Sequence, residues 1–72
     1  MTATLAFDLR PDADPVAAVN ALRQTRLIVT SVDAVRGSLV ALVEAESPEA
    51  LAAAAAVLAA RPEVRDLGTA EA

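Results

Sequence analysis

From Thr4 to Arg10 apolar and polar residues alternate singly, placing Leu5, Phe7 and Leu9 on one side and Ala6, Asp8 and Arg10 on the other. That is the period of a half-buried strand. Pro11-Asp12-Ala13 breaks it. Asp14 then stands as an N-cap with Pro15 at the first helical position, and Val16, Val19 and Leu22 recur as a narrow apolar stripe, leaving Asn20, Arg23 and Gln24 on the polar side. Two β-branched runs follow, Leu27 to Val32 and Leu39 to Val43, separated by Asp33-Ala34-Val35-Arg36-Gly37. The leading Asp and the trailing Gly of that connector predict a hairpin with Gly37 at positive φ. Ser47-Pro48-Glu49 opens a second helix by the same cap-and-proline logic, with an acid in the first turn. Its buried stripe is expected at Leu51, Ala54, Ala55 and Leu58. It should end by Arg61, because the residue before Pro62 is pushed out of the α region. Val64 to Thr69 reads as a weaker last strand, and Ala70-Glu71-Ala72 as a fraying end.

The order strand, helix, strand, strand, helix, strand predicts one α+β domain over residues 1–72, the ferredoxin-like βαββαβ sandwich: one four-stranded antiparallel sheet with two helices on one face. In that arrangement the first and third strands are central. Leu39-Val40-Ala41-Leu42-Val43 is apolar on both faces, so the bare side of the sheet leaves either Val40 and Leu42 or Leu39 and Val43 uncovered, and Leu27-Ile28-Val29 adds to the same problem. An exposed aliphatic patch of this kind marks an interaction surface, unless it is simply a few aliphatics that a central strand tolerates.

Composition narrows the picture. A chain of 72 residues buries only about 60% of its unfolded surface, so association would help it. The 56% hydrophobic content is inflated by alanine, and Phe7 is the only aromatic residue, so the core must be built from Leu, Val, Ile and Ala. Without cysteine or histidine the chain lacks a thiolate, a disulfide and the usual general base and metal ligand; no metal and no cofactor are expected. The N-terminus shows no basic region leading into an apolar one, and the longest uncharged run, Ala50 to Ala60, is too short to span a bilayer. A soluble, cytoplasmic protein without a membrane partner is therefore expected. Ten acids stand against six arginines with no lysine, a net charge of −4, which argues against nucleic acid and for a basic or apolar partner. Asp8 and Glu44 could face each other as a carboxylate pair, but no third group stands ready to hold a metal or substrate with them, so catalysis is not expected. Gly37 and Gly68 are isolated and form no phosphate loop; Arg36 and Arg65 could meet an anion, with solvation the expected state.

Asp33-Ala34, Gly37, Leu39, Val43-Glu44-Ala45-Glu46, Glu49 and Leu51 resemble, at the same spacing, the central segment of the NapD family, cytoplasmic assembly chaperones for periplasmic nitrate reductase. The register continues through Leu58, Val64 and Leu67, and Leu5, Val16, Val19 and Leu22 fit the first strand and helix with a small shift. The chain departs from the family at Gln24-Thr25-Arg26, where a Pro-Gly pair would stand, and in its short polar tail after Leu67.

The resemblance implies a binding protein with no catalysis of its own, which takes the twin-arginine signal peptide of its client on the open sheet face and holds back export until the client's cofactor is loaded. Such a peptide offers two arginines and an apolar stretch. The residues expected to meet it are Glu44 and Glu46 at the end of the third strand, Asp8 on the neighbouring strand, and Ile28, Val40 and Leu42 as the aliphatic floor. Two other readings remain open. One is a small-molecule-sensing module of the ACT or Lrp-effector type, against which the stiff, acidic Pro11-Asp12-Ala13-Asp14-Pro15 turn speaks. The other is a structural protein, a homodimer or larger homo-oligomer that buries its open sheet face against itself.

Overall fold

The structure, a computed structural model, describes residues 1–35 and 37–71. Its elements are β1 (Thr2–Leu9), α1 (Pro15–Arg23), β2 (Ile28–Val35), β3 (Ser38–Glu44), α2 (Pro48–Ala59) and β4 (Val64–Glu71). The strands form one antiparallel sheet in the order β2-β3-β1-β4. With both helices on one face this is the ferredoxin-like sandwich that the pattern predicts.

Both helices begin as their caps dictate. The Asp14 carboxylate accepts from the backbone N–H of Val16 at 3.0 Å and the Ser47 hydroxyl from that of Ala50 at 3.1 Å, each with proline following at the first helical position. Past the end of α1, the Thr25 hydroxyl donates to the Leu22 carbonyl at 2.6 Å and accepts from Leu27 N–H, turning the chain into β2. α2 stops at Ala59 with Ala60 as its C-cap, just ahead of Pro62.

Alternation along β1 sends Ala3, Leu5, Phe7 and Leu9 into the core, and their partners on β3, Val43, Ala41 and Leu39, point the same way. Opposite them lie Leu51, Ala54 and Leu58 of α2, as expected, with Ala55 half-buried. α1 differs from expectation. Its buried residues are Ala18, Ala21 and Leu22, while Val16 is 60% exposed and Val19 only partly covered. In a helix of nine residues over a sheet, small methyls allow the closest approach, and the turn from Ala18 to Leu22 faces inward in place of the valine stripe. No polar or charged residue is buried among the described residues.

The edge strands each carry a bulge that corrects their phase. In β2 the register steps between Val29 and Ser31, and in β4 between Val64 and Asp66, so Thr30 and Arg65 are the extra residues. Val29 and Val32, and likewise Val64 and Leu67, are three apart in sequence yet all turn toward the helices; a regular strand would send one of each pair outward.

The hairpin is tighter than the sequence suggests. Val35 pairs with Ser38, so Asp33, Ala34 and Val35 belong to β2 and not to the connector. Gly37 has φ 73° and its carbonyl accepts from Leu9 N–H at 2.9 Å, tying the hairpin tip to the end of β1. The expectation that Arg36 is solvated falls outside the described residues. At the chain's end, Ala70 and Glu71 continue β4 against Thr4 and Ala3 where fraying is expected; Ala72 lies outside the described residues. No described helix is long and apolar enough to cross a membrane.

Two measurements check this packing. Leu58→Ala removes a side chain that is 1% exposed and is expected to cost about 2–5 kcal/mol in chemical denaturation. A shift close to zero would mean that α2 sits in another register. Gly37→Val meets no neighbouring atom but must hold a left-handed φ, so an unfolding loss of about 1 kcal/mol or more is expected.

Candidate functional site

The face away from the helices is built by the residues between those that enter the core. β3 presents Ser38, Val40, Leu42 and Glu44; β1 presents Thr2, Thr4, Ala6 and Asp8; β2 presents Ile28, Ser31, Asp33 and Val35. β4 adds Asp66, Gly68 and Ala70. Which face of β3 is left bare is decided by β1: Phe7 pairs with Leu39 and goes inward, so Ala6 and Val40 pair outward.

Of the residues expected to bind a partner, Ile28, Val40, Leu42 and Glu44 share this open face. Ile28 pairs directly with Glu44 and is 69% exposed; Val40 is 39% exposed and Leu42 half-buried. Beside the strip, β1 and β4 contribute only Thr4, Ala6, Gly68 and Ala70, side chains too short to cover their neighbours. The result is an aliphatic ridge on β2 and β3 standing above a low floor of small residues. Glu46 lies just past the end of β3 and is exposed.

Asp8 does not belong with Glu44. They share a face but sit at opposite ends of it, because Asp8 pairs with Ser38 and Glu44 with Thr2. The length of β3 separates them, about 20 Å at ~3.3 Å per residue. A carboxylate pair across β1 and β3 is thereby ruled out. Asp8 is instead held by Arg65, whose Nη2 and Nε donate to Oδ2 at 2.6 and 3.2 Å. That hydrogen bond, and then the charge of Asp8, raise the Arg65 guanidinium above its ordinary value. Arg65 is thus not simply solvated: the β4 bulge sets it over the sheet face against Asp8. At the other end, the Thr2 hydroxyl donates to Glu44 and the Met1 ammonium lies 3.6 Å from its second oxygen.

The sequence reading missed Asp33. Counted into the hairpin connector, it stands in β2 directly opposite Val40, which places a carboxylate on the flank of the aliphatic strip. Treating Gly37 as the second residue of a two-residue turn would have kept the alternation running through Asp33. With Glu44 at one end, Asp33 alongside, and Asp8 and Asp66 at the far end, the face carries four carboxylates, against the guanidinium of Arg65 and the Met1 ammonium beside Glu44. Its chemistry suits a ligand that brings cations and apolar surface together. No three His, Cys, Asp or Glu side chains gather as metal ligands among the described residues.

The fold and this face define a small α+β sandwich with an uncovered, acidic-rimmed sheet. No family model, curated protein or solved structure matches the chain.

The Asp8–Arg65 pair is exposed on both sides, so screening should govern it. Arg65→Ala is expected to lower the melting temperature slightly at low ionic strength and not at all in high salt. A loss that persists in high salt would mean that the arginine stem, and not its charge, holds the β4 bulge.

Proposed function

We propose that the protein is a cytoplasmic binding chaperone, without catalysis of its own, whose open sheet face takes the twin-arginine signal peptide of a molybdenum-enzyme client of the nitrate reductase type. One observation carries this reading: the strip Ile28, Val40 and Leu42 lies uncovered and has Glu44 at its end and Asp33 on its flank. A signal peptide of this kind is the complementary object. Its guanidinium groups meet carboxylates in forked, charge-assisted hydrogen bonds, which are stronger and more directional than neutral ones. Its apolar stretch lies over Val40 and Leu42 and removes them from water, supplying contact area that the charges do not. The exposed Glu46, and Glu44 beside the Thr2 hydroxyl and the more distant Met1 ammonium, receive the arginines; Asp8, held at 2.6 Å by Arg65 at the opposite end, does not. The resemblance of Val43-Glu44-Ala45-Glu46 and its surroundings to the NapD family supplies the identity of the peptide.

Calorimetric titration with synthetic twin-arginine signal peptides of molybdenum enzymes, run beside free amino acids, tests the proposal. Saturable binding that weakens with salt is expected. Glu44→Arg combined with Glu46→Arg should abolish it with the circular dichroism spectrum unchanged, and Val40→Asp or Leu42→Asp should weaken it. Saturable heat from an amino acid and none from any peptide would replace this reading with that of a sensing module.

A further inference from the structure

Between the two helices the helix side of the molecule is hollow. α1 ends at Arg23 after nine residues while α2 runs for twelve, and the space between them is lined by Ala21 of α1 and by Ala50, Ala53 and Ala54 of α2. Methyl groups do not close that space. A groove of about 520 Å³ remains, within the ~300–1,000 Å³ of small-molecule sites. It follows α2 from Ala50 in the first turn past Val57, a length of about 10 Å at ~1.5 Å per residue. Its floor is the core itself, since Ala21, Ala54 and Leu58 line it and are buried.

The polar part of the wall differs in charge from the rest of the chain. Acids outnumber arginines ten to six in the sequence, yet no carboxylate lines the groove, whereas Arg26 and Arg61 do. Arg61 is engaged, its Nε donating to Glu63 at 2.9 Å, and the Thr25 hydroxyl is taken up by Leu22 and Leu27. Arg26 has no carboxylate within ion-pair distance among the described residues, so its fork of N–H donors is open to a ligand. Gln24, two residues earlier, adds an amide to the same wall.

We propose that this groove binds a small aliphatic carboxylic acid, its carboxylate held by Arg26 and its hydrocarbon chain laid along α2 over Ala53, Ala54 and Val57. A planar guanidinium and a planar carboxylate meet in two parallel hydrogen bonds, and the Gln24 amide has N–H donors for the same oxygens. The chain withdraws the side chain of Val57, 62% exposed, from water. Charge selects the head group: a cationic amphiphile would meet guanidinium groups with no acid beside them in the wall, and a neutral one would leave Arg26 unengaged. The groove lies on the side of the sheet opposite Val40 and Glu44, so it stands or falls separately from peptide binding on the open face.

Titration of the whole chain with sodium octanoate below its micelle concentration, followed by amide NMR shifts, tests this. Saturable binding is expected, with shifts at Ala53, Val57 and Leu58 and none at Val40. Octanol and octylammonium should bind about tenfold more weakly or not at all. Arg26→Gln should weaken octanoate on the order of tenfold and leave octanol as it was, with Arg26→Lys in between. Arg23→Gln, outside the groove, should change nothing. Ala53→Met, at an exposed position that leaves the fold intact, should fill the groove and weaken octanoate and octanol alike. No saturable binding, octanol held as tightly as octanoate, an Arg26→Gln variant equal to the unaltered chain, or shifts centred on Val40 would each overturn the proposal.

Discussion

Side-chain size sets the terms for the whole molecule. With Phe7 as the single aromatic and alanine filling most of α2, the helix layer and the sheet are held apart by little more than methyl groups and leucines. Small residues permit this close contact, and close contact is what lets so short a chain exclude water from Leu5, Phe7, Leu39 and Leu58. The same economy has a cost in coverage. Two short helices occupy one side of a four-stranded sheet and, among the described residues, no element covers the other, so the aliphatic residues of β3 that do not face Phe7 and Leu5 face solvent.

The two exposed surfaces therefore have a common origin but opposite characters. The sheet side is apolar along β2 and β3 and acidic around that strip, while the helix side is apolar along α2 with arginines lining its groove. Half of the ten acids, Asp8, Asp33, Glu44, Asp66 and Glu71, stand on the strands, whereas Arg23, Arg26 and Arg61 follow the helices. A net charge alone would have described a uniformly acidic particle, and the fold separates it into two chemically distinct sides.

Much of this architecture was legible because the strongest local signals were chemical ones with a single interpretation: proline after an Asp or Ser cap, proline after a helix, glycine in a tight turn, single alternation in β1. The readings that failed did so where hydrophobicity and geometry disagree. Val16 outranks Ala18 and Ala21 on any scale of apolar character, yet it is the alanines that fit against the sheet. The pairs Val29 and Val32, and Val64 and Leu67, have a spacing foreign to a regular strand, and only the bulges at Thr30 and Arg65 reconcile it with an inward direction. In the candidate site, Ile28, Val40, Leu42 and Glu44 could be grouped from alternation within each strand. The separation of Asp8 from Glu44 and the arrival of Asp33 could not, because both depend on registers between strands that the chain's local pattern does not encode.

The strand order carries a consequence for how the chain is made. β1 is the earliest strand in the sequence, yet it lies between β3 and β4, and its pairing with β4 joins Ala3 to Glu71 across nearly the whole length. Only β2 and β3 are joined by a short turn. On a ribosome the hairpin is therefore available first, while Leu5, Phe7 and Leu9 must wait, unpaired, for partners synthesised much later. The apolar side of β1 is exposed throughout that interval. Protection against mispairing during synthesis then rests on how quickly the emerging β3 closes onto β1.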